Sequence, residues 1–231
     1  RLPEDTYAAI RRLPSHPFFF TPSGPTLGLY TGSYATYGIV RGEPDDVRYE
    51  LAQAGVTHVL ADPGDFLSFT RYAGSVEDAN SRWDRIKAEF GRDPSAFVPI
   101  YANPIEGTVI YRLDAGPKFL AAYERYRDGL RSLTRREAEA ALADFEESLR
   151  LDPDLVPALN ASGTTLYLQG RQLPLAEKRL RRAVELDPAY PAALVNLARL
   201  CYHTQRRAEA RLWLARARVL APADIPDESR L

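Results

Sequence analysis

The chain has 231 residues, 45% hydrophobic and 26% charged, which fits one large or two small globular domains and excludes a disordered or fibrous chain. Thirty Lys and Arg against 31 Asp and Glu leave a net charge of -1, so no basic excess recruits nucleic acid or an anionic membrane. The single Cys201 rules out an intrachain disulfide and a cysteine-rich zinc site, and no apolar run reaches the roughly 18–20 residues of a membrane helix.

No signal-peptide pattern opens the chain, and the absence of methionine leads to the expectation of a piece cut from something longer. Residues 6–13 read as a short helix and Phe18-Phe19-Phe20-Thr21 as a buried strand. Pro22-Ser23-Gly24-Pro25 breaks that strand, and Gly28-Leu29-Tyr30 starts another short extended piece. Residues 45–55 have helical spacing, with Val47, Leu51 and Ala54 on one face and Gly55 as the stop. Val56-Thr57-His58-Val59-Leu60-Ala61 is apolar and β-branched, as a central parallel strand should be. Residues 81–90 read as a further helix, with Trp83, Ile86 and Phe90 on one stripe. Phe97-Val98-Pro99-Ile100-Tyr101 and Thr108-Val109-Ile110-Tyr111-Arg112-Leu113, joined by the turn over 102–107, make a hairpin. Together these predict a small α/β domain over residues 1–116, mostly parallel, with an antiparallel edge.

At Asp114-Ala115-Gly116-Pro117 the composition changes. Residues 1–116 are rich in Pro, Gly and aromatics, with 11 basic against 15 acidic side chains. Residues 117–231 hold 19 basic and 16 acidic ones and are rich in the helix formers Ala, Leu, Arg and Glu. This second domain contains a repeat. Leu151-Asp152-Pro153, Leu186-Asp187-Pro188 and Leu220-Ala221-Pro222 close three segments whose prolines are 35 and then 34 residues apart. Ala141, Ala176 and Ala210 recur in phase, as do Phe145, Leu180 and Leu214, and then Ser148, Ala183 and Ala217. The extra residue of the longer segment falls near Gln172-Leu173-Pro174-Leu175, between its helices. In the first segment Gly129 keeps phase, but Arg136 stands where a turn glycine is usual.

The pattern Leu159, Gly163, Ala176, Leu180, Ala183, Pro188, repeated as Leu194, Leu197, Ala198, Ala210, Leu214, Ala217, Pro222, resembles the tetratricopeptide repeat. The resemblance implies about three helical hairpins, the first degenerate, with small residues where paired helices approach. It also implies a concave groove, lined by the first helix of each hairpin, that takes a protein or peptide. Carried over by position, Asn160, Thr164, Tyr167 and Leu168 face that groove in one unit. Val195, Asn196, Arg199, Tyr202 and His203 face it in the next, Asn196 at a position that commonly holds ligand backbone. Thr164 and Val195 occupy places where capture of a peptide carboxylate needs Lys, Arg or Asn, so capture of a peptide terminus is not implied. Lys178, Arg179, Arg181 and Arg182 fall on a second helix and read as a solvated convex face.

The first domain carries a resemblance of its own. Ala54-Gly55, the strand Val56-Thr57-His58-Val59-Leu60, the Trp83 helix and the closing Tyr111-Arg112-Leu113 are similar to the soluble extracytoplasmic tail of multi-spanning, lipid-phosphate-sugar-dependent glycosyltransferases. This implies an extracytoplasmic fragment of a membrane enzyme whose catalytic acid lies in another segment, so no catalytic residue carries over. The alternatives are a free-standing tetratricopeptide scaffold, cytoplasmic in location, and a small enzyme using Asp62-Pro63-Gly64-Asp65 with the loop bearing Tyr30, Tyr34 and Tyr37.

Chemistry within the chain is thin. His16, His58 and His203 lack metal-ligand spacing, and His58 reads as a core histidine with an internal hydrogen bond. Asp62 reads as a helix cap. Gly24, Gly28, Gly32 and Gly38 lack the spacing of a phosphate cradle. Cys201, at a small-residue position of a repeat helix, is expected to be buried and inert. The chain is therefore expected to be a non-catalytic binding fragment with a protein or peptide partner, no cofactor, no metal and no nucleic acid.

Overall fold

The computed structural model describes residues 4–13, 17–21, 27, 29, 31–36, 47–61, 90 and 95–220. His16, the breaker over 22–25, Tyr30, Tyr37, Gly24, Gly28, Gly38, residues 62–65, the helix over 81–90 except Phe90, and Pro222 lie outside them. The chain divides into two compact units, Arg1–Gly116 and Pro117–Leu231.

The first unit contains α1 (Glu4–Ile10), β1 (Phe18–Phe20), β2 (Tyr34–Thr36), α2 (Val47–Gln53), β3 (His58–Ala61), β4 (Phe97–Asn103) and β5 (Thr108–Leu113). The strands form one sheet in the order β2-β1-β3-β5-β4. Both pairings of β1 are parallel, and both pairings of β5 are antiparallel. The sheet is thus mixed, and its antiparallel portion is more than an edge. Alternation along the strands sends two sets of side chains to opposite faces. Phe20, Val59 and Phe97 pack with Val47 and Leu51 of α2 on one face. Phe19, Leu60 and Ile110 pack with Tyr7 and Ile10 of α1 on the other.

Helix α1 is held at its start by Glu106, from the β4–β5 turn, which accepts from the Asp5 and Thr6 backbone N–H groups at 3.0 Å. Those N–H groups have no partner within the helix, and a carboxylate is the favoured acceptor at a helix start. Of the extended reading at 28–30 only Leu29 is described, and it is helical rather than extended, as are Leu27 and Thr31; Thr31 Oγ1 donates to the Leu27 carbonyl at 2.8 Å.

His58 lies at the start of the central strand, opposite Arg112 on β5. It is half-buried against the Phe19 ring, and its Nδ1 is 2.9 Å from Thr57 Oγ1. Burial, and then the Arg112 guanidinium, lower its pKa below the usual 6.5. The folded chain therefore prefers neutral His58. Its contribution to stability is complete above pH 6.5 and is lost as the pH falls through the lower folded value. A His58→Gln variant should show a flatter dependence of melting temperature on pH between about 7 and 5; an unchanged slope contradicts this placement.

The second unit is an array of six helices over residues 117–220: α3 (Pro117–Thr134), α4 (Ala138–Leu151), α5 (Val156–Leu168), α6 (Leu173–Leu186), α7 (Pro191–His203) and α8 (Arg207–Leu220). They pair as α3/α4, α5/α6 and α7/α8, so the degenerate first segment folds as a complete hairpin. Small residues let each pair close. A Cβ on Gly163 would stand 2.9 Å from Leu180 Cγ and 3.0 Å from the Ala176 carbonyl oxygen, and one on Gly129 would run into the Phe145 ring. The turns within hairpins use left-handed backbone at Arg136 (φ 63°), Gln172 (φ 45°) and Gln205 (φ 63°). The extra residue sits in the α5–α6 turn, where 169–172 is one longer than 135–137 or 204–206.

The basic set on α6 is not a free solvated face. Arg179 reaches Glu146 of α4 at 2.6 Å and also donates to Ser162. Arg182 meets Asp154 at 2.9 Å, and Arg181 pairs with Glu177 and with Glu209 of α8. Glu177 also receives Arg206 at 2.7 Å. The Arg206 hydrogen bond, opposed by burial, holds the Glu177 carboxyl below its usual pKa. Lys178 and Arg182 are the exposed members of the set, and of the two Arg182 is held in the ion pair with Asp154. Cys201 is fully buried, and burial pushes its thiol pKa up to about 11. A thiol reagent at neutral pH should therefore label Cys201 at the rate of unfolding; immediate labelling of folded protein would contradict this packing.

Candidate functional site

The first helices of the three hairpins, α3, α5 and α7, present their polar and half-buried side chains on one surface. Each helix packs small residues towards its partner, so the residues a turn away are left to line this face. At its centre Asn196 Nδ2 donates to Asn160 Oδ1 at 2.9 Å, linking α7 to α5. Arg199 NH1 approaches Asn196 Oδ1 at 3.5 Å. Asn160 is only 9% exposed, yet its amide faces a cavity rather than the core.

The cavity has a volume of about 360 Å3 and is lined by Asn160, Ala161, Thr164, Thr165, Leu168 and Gln169 from α5 and its end, with Asn196 from α7. Tyr126, Leu130 and Leu133 of α3 and Ala138 of α4 form its other wall. No charged side chain lines it. Towards the far end of the surface, the Tyr167 and His203 ring centroids lie 5.4 Å apart, and Tyr202 meets His203 edge-on at 6.2 Å. The Arg207 guanidinium sits 5.4 Å from the Tyr202 ring centroid. Burial raises the Tyr167 phenol pKa, an effect that Arg199 opposes, so Tyr167 is a neutral hydrogen-bonding group at physiological pH.

Of the positions taken from the repeat register, Asn160, Thr164, Leu168 and Asn196 come together around the cavity. Arg199, Tyr167, Tyr202 and His203 continue the same surface. Val195 does not join them: it is 8% exposed and belongs to the core that α7 shares with α5, α6 and α8. It occupies the register of Asn160, which is equally buried but lines the cavity. Tyr126, Leu130 and Leu133 were not anticipated from the sequence. The signal was present, since each stands 34 residues before Asn160, Thr164 and Tyr167. The degenerate look of the first segment hid it.

The groups of this surface are amides, hydroxyls, phenols, the His203 imidazole and the Arg199 and Arg207 guanidinium groups, a set suited to binding. Among the described residues, no three His, Cys, Asp or Glu side chains are placed to hold a metal ion. No helix among them is long and apolar enough to cross a membrane.

Comparison with known proteins agrees with the second unit. The tetratricopeptide repeat family model matches residues 167–227, and the C-terminal half carries tetratricopeptide repeats. Among solved structures the chain is similar to the first tetratricopeptide module of Spaghetti (RPAP3) bound to an HSP90 peptide, at 17% identity and a TM-score of 0.43. That match covers 45% of this chain and 82% of the other. It is also similar to YrrB, described as a tetratricopeptide protein with an unusual peptide-binding site, at 15% identity and a TM-score of 0.42. There the match covers 78% of this chain and 80% of the other. No curated protein sequence matches.

Proposed function

We propose that residues 117–220 are a peptide-recognition module whose ligand lies along the face made by α3, α5 and α7. The observation that carries this reading is the Asn196–Asn160 bond beside an uncharged cavity on the first-helix surface. Side-chain amides presented in a row suit the alternating N–H and C=O groups of an extended peptide, and Arg199 adds a donor for a carbonyl or carboxylate. Tyr167 and Tyr202 supply flat, amphipathic contact area that loses little entropy on binding. Selection of a random peptide display library on the full chain tests this. Enriched peptides should bind the parent chain and a Lys178→Ala control equally, and lose affinity when Asn196 and Arg199 are both replaced by Ala. Peptides that ignore the groove substitutions would defeat the reading.

A second reading concerns the first unit, which we infer to be the extracytoplasmic tail of a membrane glycosyltransferase, with the repeats recruiting a partner to it. What supports this is the adjacency of the two segments that resemble that family: Val59 pairs with Tyr111 and His58 with Arg112 at the centre of the sheet. The purified chain should then transfer no sugar from a lipid-phosphate donor, and the full-length gene product should fractionate with membranes and expose this unit on the extracytoplasmic side. Turnover by the chain alone, or a full-length product confined to the cytoplasm, would overturn it.

A further inference from the structure

Helix α8 carries two apolar stripes, and packing within the array uses one of them. Ala210, Leu214 and Ala217 are buried in the core of the hairpins. On the opposite side of the helix Ala208, Leu212, Ala215 and Val219 are all exposed, Leu212 at 68% and Val219 at 82%. Their spacing of four, three and four residues keeps them in one line along a helix of 3.6 residues per turn. The earlier second helices lack this line. The same places hold Pro174, Lys178, Arg181 and Glu185 on α6, and Glu139, Ala143, Glu146 and Arg150 on α4. A single exposed leucine needs no explanation, whereas an apolar line where the sibling helices carry charge does.

The spacing and the flanks describe what covers it. Four-three-four is the spacing of the apolar seam along which two helices pack, and small Ala208 and Ala215 alternate with larger Leu212 and Val219 as hollows and ridges for a facing helix. Arg211 and Arg218 flank the line on one side and Arg216 on the other, all three exposed. Glu209, the one acidic residue of α8, is turned to Arg181 and to Arg206, the latter at 3.2 Å. Charges beside such a seam choose the partner. A second copy of α8 would set arginine against arginine, whether the two helices ran parallel or antiparallel. A bilayer would find only Leu212 and Val219 to take up on this face, little apolar area for an interfacial helix. We propose that the outer face of α8 docks an amphipathic helix of another protein, one with apolar residues at heptad spacing between flanks of Asp and Glu. This surface lies on a second helix and does not depend on the groove reading.

The probe is a synthetic helix of about three heptads with Leu along the seam and Glu on both flanks. Its counterpart carries Lys on the flanks. Each is titrated at low salt into the isotopically labelled full chain, following backbone amide signals. The Glu helix should perturb α8 and bind about tenfold or more tightly than the Lys helix. Leu212→Glu and Val219→Glu, both at exposed positions, should each weaken that binding about tenfold or more and leave the melting temperature unchanged. Arg216→Glu should shift the preference towards the Lys helix. Replacing Asn196 and Arg199 with Ala should leave it untouched, which separates this surface from the groove. Equal affinity for the two helices, or perturbation away from α8, overturns the proposal. So does a chain that sediments as a dimer until Leu212→Glu is made, a Glu helix bound only after residues 221–231 are deleted, or anionic vesicles bound in place of the Glu helix. Those results would make the occupant a second copy, the chain's own tail or a bilayer.

Discussion

Phe145→Ala should destabilise the repeat unit by about 3–5 kcal/mol, the range for deleting a large aromatic from a core. Phe145 is fully buried, lies over Gly129 and stacks with Tyr126, which is itself in the Tyr123 and Phe119 aromatic chain of α3. The cavity left behind cannot be filled from α3, because glycine offers no side chain to move in. The repeat suggests the repair. The same two positions are Gly163 and Leu180 in the second hairpin, and Ala198 and Leu214 in the third. Gly129→Ala alone should be destabilising, by about 1–3 kcal/mol of overpacking, despite the better helix propensity of alanine. Combined with Phe145→Leu it should be less harmful than the two single costs added together, since the smaller side chain vacates the space the methyl needs. Thermal or denaturant unfolding of the four variants reads this coupling. Strict additivity would show that the two residues do not meet.

The second large effect is on binding. Replacing both Asn196 and Arg199 with Ala should weaken a groove peptide by about 2 kcal/mol or more, roughly thirtyfold in Kd. The substitution is not neutral for the fold, because Asn160 loses its 2.9 Å partner. A cost of about 1 kcal/mol in stability is expected from one lost hydrogen bond, so affinity is to be measured well below the melting transition. Arg179 and Arg182 are unsuitable controls: both hold ion pairs to neighbouring elements, and the Arg179 side chain is only 11% exposed. Lys178→Ala changes the convex face without breaking such a contact, and should leave Kd unchanged. Loss of binding in Lys178→Ala with retention in the groove pair would reverse the assignment of faces.

The hairpins of the second unit were legible because several small and large positions keep one register, and a packed helix pair tolerates few residues at Gly163 or Ala176. The β4–β5 hairpin and the β3 strand were legible from their β-branched and aromatic runs. Strand β2 was not: Tyr34–Thr36 is three residues long and sits among glycines and tyrosines without a hydrophobic period. The helical state of Leu29 was not legible either, and the bond from Thr31 to the Leu27 carbonyl beside it is one that no periodicity reveals. Val195 shows the limit of carrying positions across repeats, since it is as buried as its register mate Asn160 but joins the apolar core while Asn160 lines the cavity. The charges of α6 show another limit. Their partners Glu146, Asp154 and Glu209 come from elements 33, 28 and 28 residues away, so a local charge run reads as a free surface when it is bridged.

The central claim is that the first-helix face is the recognition surface. Its most direct test is the map of backbone amide shifts in the full chain on adding a selected peptide at saturation. The account predicts a continuous perturbed strip over α3, α5 and α7, strongest near Leu130, Thr164, Asn196 and Arg199. Perturbation centred on α4, α6 and α8, around Lys178 and Leu212, or confined to the 1–116 unit, would contradict it.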